Sequence, residues 1–202
     1  TMDGSDVTDK VYDRSGQAKH GAFVGRATSS AKVLGKIGQA LSFNGTSDYV
    51  DTYSNAGVTI STPFTISGWF YSAASTNDQV MVGTGIDTNP FDGVWLQWGS
   101  SSPCGATNIL TFVLVSSGGS TEEGVCGTTT LVQNRWYHIT ATYDGSQTLA
   151  GMKLYLDGTS ETIGVTSNTG FGAFTDRPWR IGKDRHTNLT TFYQGKMDDV
   201  RV

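Results

Sequence analysis

The chain has 202 residues, 16% of them charged, and a formal net charge of −4 at pH 7. So few cations cannot neutralise a run of phosphates, which excludes a nucleic-acid binder. No run of 18 apolar residues occurs, so no membrane insertion through a helix is expected. Gly is over-used at 26 residues, Thr reaches 28, and 15 Asp stand against 3 Glu. Asp suits turns, Glu suits helices and Thr suits strands, so the composition points to an all-β chain. The length suits a single domain over 1–202. No basic-then-apolar leader opens the chain, whose first residues look excised from a longer protein.

Short alternating runs, each bounded by Gly, Asn or Asp, give the predicted strands in chain order. They are Ala40–Phe43, Tyr49–Tyr53, Phe64–Tyr71, Gln79–Gly83, Val94–Trp98, Ile109–Val115, Trp136–Tyr143, Met152–Leu156, Trp179–Ile181 and Gly195–Val202. Ser100–Pro103 and Ser116–Gly124 read as loops flanking Ile109–Val115. The Asp157-Gly158 turn reads as a hairpin joining Met152–Leu156 to a run at Glu161–Val165. About ten strands at regular spacing predict an antiparallel two-sheet sandwich of jelly-roll type.

The alternation also sorts the faces. In Phe64–Tyr71, Phe64, Ile66 and Phe70 share one face, and Thr65, Ser67, Trp69 and Tyr71 share the other. In Trp136–Tyr143, Tyr137, Ile139, Ala141 and Tyr143 oppose Trp136, His138, Thr140 and Thr142. Lys153 and Tyr155 oppose Met152, Leu154 and Leu156. One face is apolar and suits a core. The other mixes hydroxyls with aromatic rings, which suits either a carbohydrate surface or an ordinary solvated sheet face.

Cys104 and Cys126 have neither the local spacing nor the His neighbours of a zinc site. A disulfide between them, tying the two loops around Ile109–Val115, is the simplest reading and implies an oxidising compartment. Two free thiols are the alternative.

Six segments in order resemble the laminin-G-like, concanavalin A-like lectin/glucanase jelly-roll family: 13–21 (DRSGQAKHG), 35–50 (GKIGQALSFNGTSDYV), 64–69 (FTISGW), 135–145 (RWYHITATYDG), 153–158 (KLYLDG) and 195–202 (GKMDDVRV). The resemblance covers almost the whole chain. It implies a two-sheet sandwich and an extracellular setting, secreted or on the cell surface. Its implied partners are a glycan or a cell-surface or extracellular protein. It leaves open a carbohydrate-binding or adhesion module, a structural spacer and an accessory domain of a glycan-processing enzyme.

Related jelly rolls that hydrolyse glycosides carry Glu-x-Asp-x-Glu on one strand. Here Glu occurs only at 122, 123 and 161, outside any such motif, so a non-catalytic module is expected. The resemblance further implies a structural calcium ion held by Asp3 or Asp13, Gly45 and Asp198. The stretch 83–99 departs most from the family pattern and crowds Asp87, Asp92, Trp95 and Gln97 together. An aromatic platform beside planar polar groups suits a sugar site there, with core packing as the alternative for the rings. Arg185 and His186, in the 183–188 loop, could add contacts to an acidic sugar.

Overall fold

The computed structural model describes residues 10–75, 78–85, 92–100, 104–116, 122–184 and 191–202, without the side chains of 100 and 165–168. Fifteen strands are described: β1 (Ala22–Val24), β2 (Lys32–Leu34), β3 (Gln39–Asn44), β4 (Tyr49–Asn55), β5 (Phe64–Ser72), β6 (Gln79–Thr84), β7 (Gly93–Ser100), β8 (Ala106–Val115), β9 (Glu122–Gly127), β10 (Trp136–Tyr143), β11 (Met152–Leu156), β12 (Thr159–Ser160), β13 (Ile163–Asn168), β14 (Pro178–Ile181) and β15 (Gln194–Arg201). One four-residue helix, Thr28–Ala31, joins β1 to β2.

The strands form two antiparallel sheets. One has eight strands in the order β1-β4-β14-β6-β7-β8-β9-β13, and the other has seven in the order β12-β11-β10-β5-β15-β3-β2. Their inner faces meet in one core. Leu96, Trp98, Leu110, Phe112 and Leu114 come from the eight-stranded sheet, and Ile66, Phe70, Tyr137, Ile139 and Met197 from the other. The expected sandwich is therefore present, and each of the ten predicted strands falls on an observed one.

Two local expectations are corrected. Glu122–Gly124 belongs to β9 rather than to a loop, because its backbone pairs with β8 from Val115↔Glu122 to Val113↔Gly124. The hairpin after Asp157-Gly158 returns only through β12, which pairs Tyr155↔Ser160 and Leu156↔Thr159. The run expected to complete it crosses to the other sheet as β13 and pairs with β9.

Cys104 and Cys126 are joined by a disulfide with their Cα atoms 6.1 Å apart. Cys126 lies opposite Thr111 in the β8–β9 ladder, and the Cys104 Sγ lies 3.3 Å from the Thr111 Oγ1. The bridge thus pins the segment entering β8 to the neighbouring strand. Closing a loop of this length removes unfolded-chain entropy worth roughly 3 kcal/mol. The double variant C104S/C126S should lose about that stability and melt roughly 6–12 °C lower by calorimetry. An unchanged melting temperature would show that the β8–β9 ladder alone sets the stability there.

Candidate functional site

The outward face of the seven-stranded sheet carries a cluster of aromatic residues that stand outside the core. Both β5 and β10 alternate buried with half-buried positions along their length. Register then decides which outward side chains become neighbours. Trp136 pairs with Tyr71 and His138 with Trp69 across β10 and β5. Lys196 pairs with Tyr71 and Asp198 with Trp69 across β15 and β5. Two transverse rows result, Trp136–Tyr71–Lys196 and His138–Trp69–Asp198. Hydroxyls continue the face, since Thr140 lies between Ser67 and Tyr155.

The rings are in contact within each row. Trp69 and His138 meet edge to face at 5.2 Å between centroids, and Tyr71 and Trp136 meet at 5.5 Å. The Lys36 Nζ stands 5.0 Å from the Trp69 ring centroid, and the Lys196 Nζ stands 4.8 Å from that of Tyr71. Gly195 lets β15 reach β5 here, because a Cβ at its φ of +156° would strike the Tyr71 carbonyl.

One wall is the β11–β12 turn. Asp157 adopts φ +50°, donates its N–H to the His138 carbonyl at 2.8 Å and accepts the His138 N–H on Oδ1 at 2.9 Å. Its Oδ2 pairs with Arg135 at 3.4 Å. The other wall is the turn before β3, closed by a Gly35 N–H to Gly38 carbonyl bond of 3.0 Å. Asp198 supports it from beneath, accepting the Ile37 N–H at 2.7 Å. Between the walls lies an open cleft of about 650 Å³ lined by Trp69, Trp136, His138, Lys36, Arg135 and Asp157. That volume is in the range of ligand sites, and rings beside a few charged groups can hold a polar ligand with apolar C–H faces.

The residues expected from the 83–99 stretch are placed differently. Trp95 is 8% exposed and packs with Val80, Val113 and Val115 on the outer side of the eight-stranded sheet. Gln97 shares that side, half-buried, while Trp98 is fully buried in the main core. Asp92 is buried as well, accepting the Arg177 Nε–H at 3.2 Å and the Thr175 N–H at 3.1 Å. Asp87, Arg185 and His186 lie outside the described residues, as does Asp3.

The described members of the expected calcium set are not brought together. Gly45 follows β3 and abuts Gln194, which pairs with Asn44 at one end of the β3–β15 ladder. Asp198 lies four residues further along β15, about 13 Å away at strand rise. Asp13 sits in the opening loop, where its carboxylate accepts the Ser15 and Lys19 N–H groups. Those bonds, the Ser15 amide first, hold its pKa below the usual aspartate value. Asp198 departs in the opposite sense, because burial pushes its pKa up against the opposing Ile37 and Lys36 amides. Among the described residues no group of three His, Cys, Asp or Glu side chains could hold a metal ion.

A family model described as the concanavalin A-like lectin/glucanases superfamily matches residues 44–202. Among solved structures, domain 4 of AbnA, a GH43 extracellular arabinanase from Geobacillus stearothermophilus in complex with arabinotriose, aligns at TM-score 0.58 and 19% identity, covering 84% of this chain and 72% of that one. A putative carbohydrate binding protein from Bacteroides ovatus aligns at TM-score 0.54 and 23% identity over 80% of this chain and 42% of its own. Domains LG4-5 of the mouse laminin alpha1 chain align at TM-score 0.51 and 14% identity, over 79% and 39%. The chain therefore spans less than half the length of the last two. No curated protein sequence matches it.

The raised pKa of Asp198 fixes the sign of a stability effect. Above its folded pKa the buried carboxylate is charged and costs stability. Below the ordinary value of 3.8 it is protonated in both states and the cost vanishes. Asp198→Asn keeps an acceptor for the Ile37 N–H and removes the charge. It should melt above the wild type at pH 7, with the gap closing as pH falls toward 3.8. A variant less stable at pH 7 than at pH 4, relative to wild type, would show that the charge supports the turn.

Proposed function

The chain belongs to the concanavalin A-like lectin/glucanases superfamily, and from that premise we propose that the outward face of its seven-stranded sheet binds a glycan. One observation carries the reading: Trp69 with His138 and Tyr71 with Trp136 form paired aromatic rows on this face, and Trp69, His138 and Trp136 line an open cleft. Pyranose rings present C–H faces to such platforms, and their hydroxyls suit the flanking His, Lys, Arg and Asp groups. The similar arabinanase domain, in complex with arabinotriose, and the similar putative carbohydrate binding protein from Bacteroides ovatus agree with this reading.

We place the module among binders rather than hydrolases. Retaining hydrolysis needs two carboxyl groups about 5–5.5 Å apart. Among the described residues lining the cleft there is one carboxylate, Asp157, and it is engaged by Arg135 and the His138 amide. The Cys104–Cys126 bridge supports an extracellular setting, because such bonds persist in oxidising compartments. On this reading the domain is a targeting or adhesion module of a larger protein.

The test is a glycan-array screen followed by titration calorimetry on the strongest ligand. Trp69→Ala and Trp136→Ala should each weaken binding by about tenfold or more, with the far-ultraviolet dichroism unchanged because both rings are outward. Undiminished binding in both variants would move the site elsewhere. Running the titration in calcium and again in EDTA tests the calcium expectation separately: loss in EDTA alone would make a cation part of the binding-competent state.

A further inference from the structure

We propose that the ligand of this face is an anionic glycan, whose carboxylate or sulfate groups are received by Lys36 and Lys196. The proposal rests on the glycan-binding reading and names the ligand class. Its basis is how the chain distributes its cations. Arg26, Arg135, Arg177, Arg180 and Arg201 are each paired with an aspartate, at 2.7–3.4 Å. Lys36 and Lys196 pair with no carboxylate among the described residues and stand instead over the rings of Trp69 and Tyr71. In a chain of net charge −4, carboxylates are plentiful, yet two ammonium groups on the aromatic face are left without one.

The spacing suits one ligand. Trp69 and Tyr71 are two residues apart on the same side of β5, so their Cα atoms lie about 7 Å apart along the strand. The two ammonium groups over these rings are thus set to meet acidic groups on one sugar or on adjacent sugars. Neither neighbouring carboxylate competes for them. Asp157 is held by Arg135 and the His138 amide at the far wall, and Asp198 is buried beneath the 35–38 turn with an oxygen on the Ile37 N–H.

The cations also cover the platform. A lysine over an exposed ring makes a weaker contact than an ammonium hydrogen-bonded to an anion. An acidic glycan therefore draws both lysines off the rings and frees the faces of Trp69 and Tyr71 for sugar C–H groups. A neutral glycan must displace them without that compensation. Discrimination for charge and exposure of the platform are thus one event.

The experiment screens wild type, Lys36→Gln, Lys196→Gln and the double variant against neutral, carboxylated and sulfated glycans on shared backbones. Lactose, 3′-sialyllactose and 3′-sulfolactose form one such set. The wild type should prefer acidic members, and the carboxylated and sulfated arms identify which acid is read. The double variant should lose about tenfold in affinity for them and bind neutral members more tightly than the wild type does, because no cation then has to leave the rings. Raising salt from about 0.05 M to about 0.5 M should erode wild-type affinity and leave the double variant's nearly unchanged. Tightest binding to neutral glycans, or acidic binding untouched in the double variant, overturns the proposal. If neutral binding is then abolished by Trp136→Ala, the glycan face itself stands. Binding to no glycan at all overturns both readings.

Discussion

Everything at the candidate site depends on the register of β10, β5 and β15. Side chains on a strand alternate with period two, so a slip of one residue would exchange the two faces of the sheet. Burial forbids that slip. Phe70, Ile66, Tyr137, Ile139, Ala141 and Met197 must face the eight-stranded sheet, and all are within 3% of full burial. Once they do, Trp69, Tyr71, Trp136 and His138 have only the opposite face left. Burying any two of the large inner side chains is worth several kcal/mol, far more than the outward ring contacts. The core therefore sets the site, and the site adds little to the core.

The same economy explains where the charges go. The Asp-rich composition reads at first as turns and cation ligands. The structure also uses several aspartates inside the fold, with Asp48 on Arg26, Asp92 on Arg177 and Asp51 on Arg180, each carboxylate nearly fully buried. These pairs hold the 44–48 turn, the 92–93 entry to β7 and the β4–β14 pair. Breaking one would strand a buried charge, at a cost of about 3–5 kcal/mol, so these arginines are committed to the fold. The lysines at 36 and 196 carry no such obligation, which is why they remain usable by a ligand.

The sequence was most legible where alternation was strong and strands were long. β5 and β10 could be assigned with both faces correct, because bulky apolar residues alternate with Thr, Ser and aromatic residues. The strands that escaped are β1, β2, β9 and β12, while β13 was read as a run but given the wrong partner strand. β1, β2 and β12 are two or three residues long, and β9 begins Glu-Glu-Gly, a polar run that pairing rather than propensity makes extended. The site was half legible. The mixed aromatic face was visible in the alternation, but residue spacing within one strand cannot say which ring will lie beside which. Trp95 and Trp69 look alike in sequence, each outward on an alternating strand. What separates them is tertiary: Val80, Val113 and Val115 close over Trp95, while a Lys36 turn and an Asp157 turn leave a cleft beside Trp69.

The most direct measurement is an ¹⁵N–¹H spectrum of the five tryptophan indoles during titration with a bound glycan. The indole signals of Trp69 and Trp136 should shift with the ligand, while those of Trp95, Trp98 and Trp179 stay in place. Shifts centred on Trp95, with Trp69 and Trp136 unmoved, would place the binding surface on the eight-stranded sheet and contradict the account.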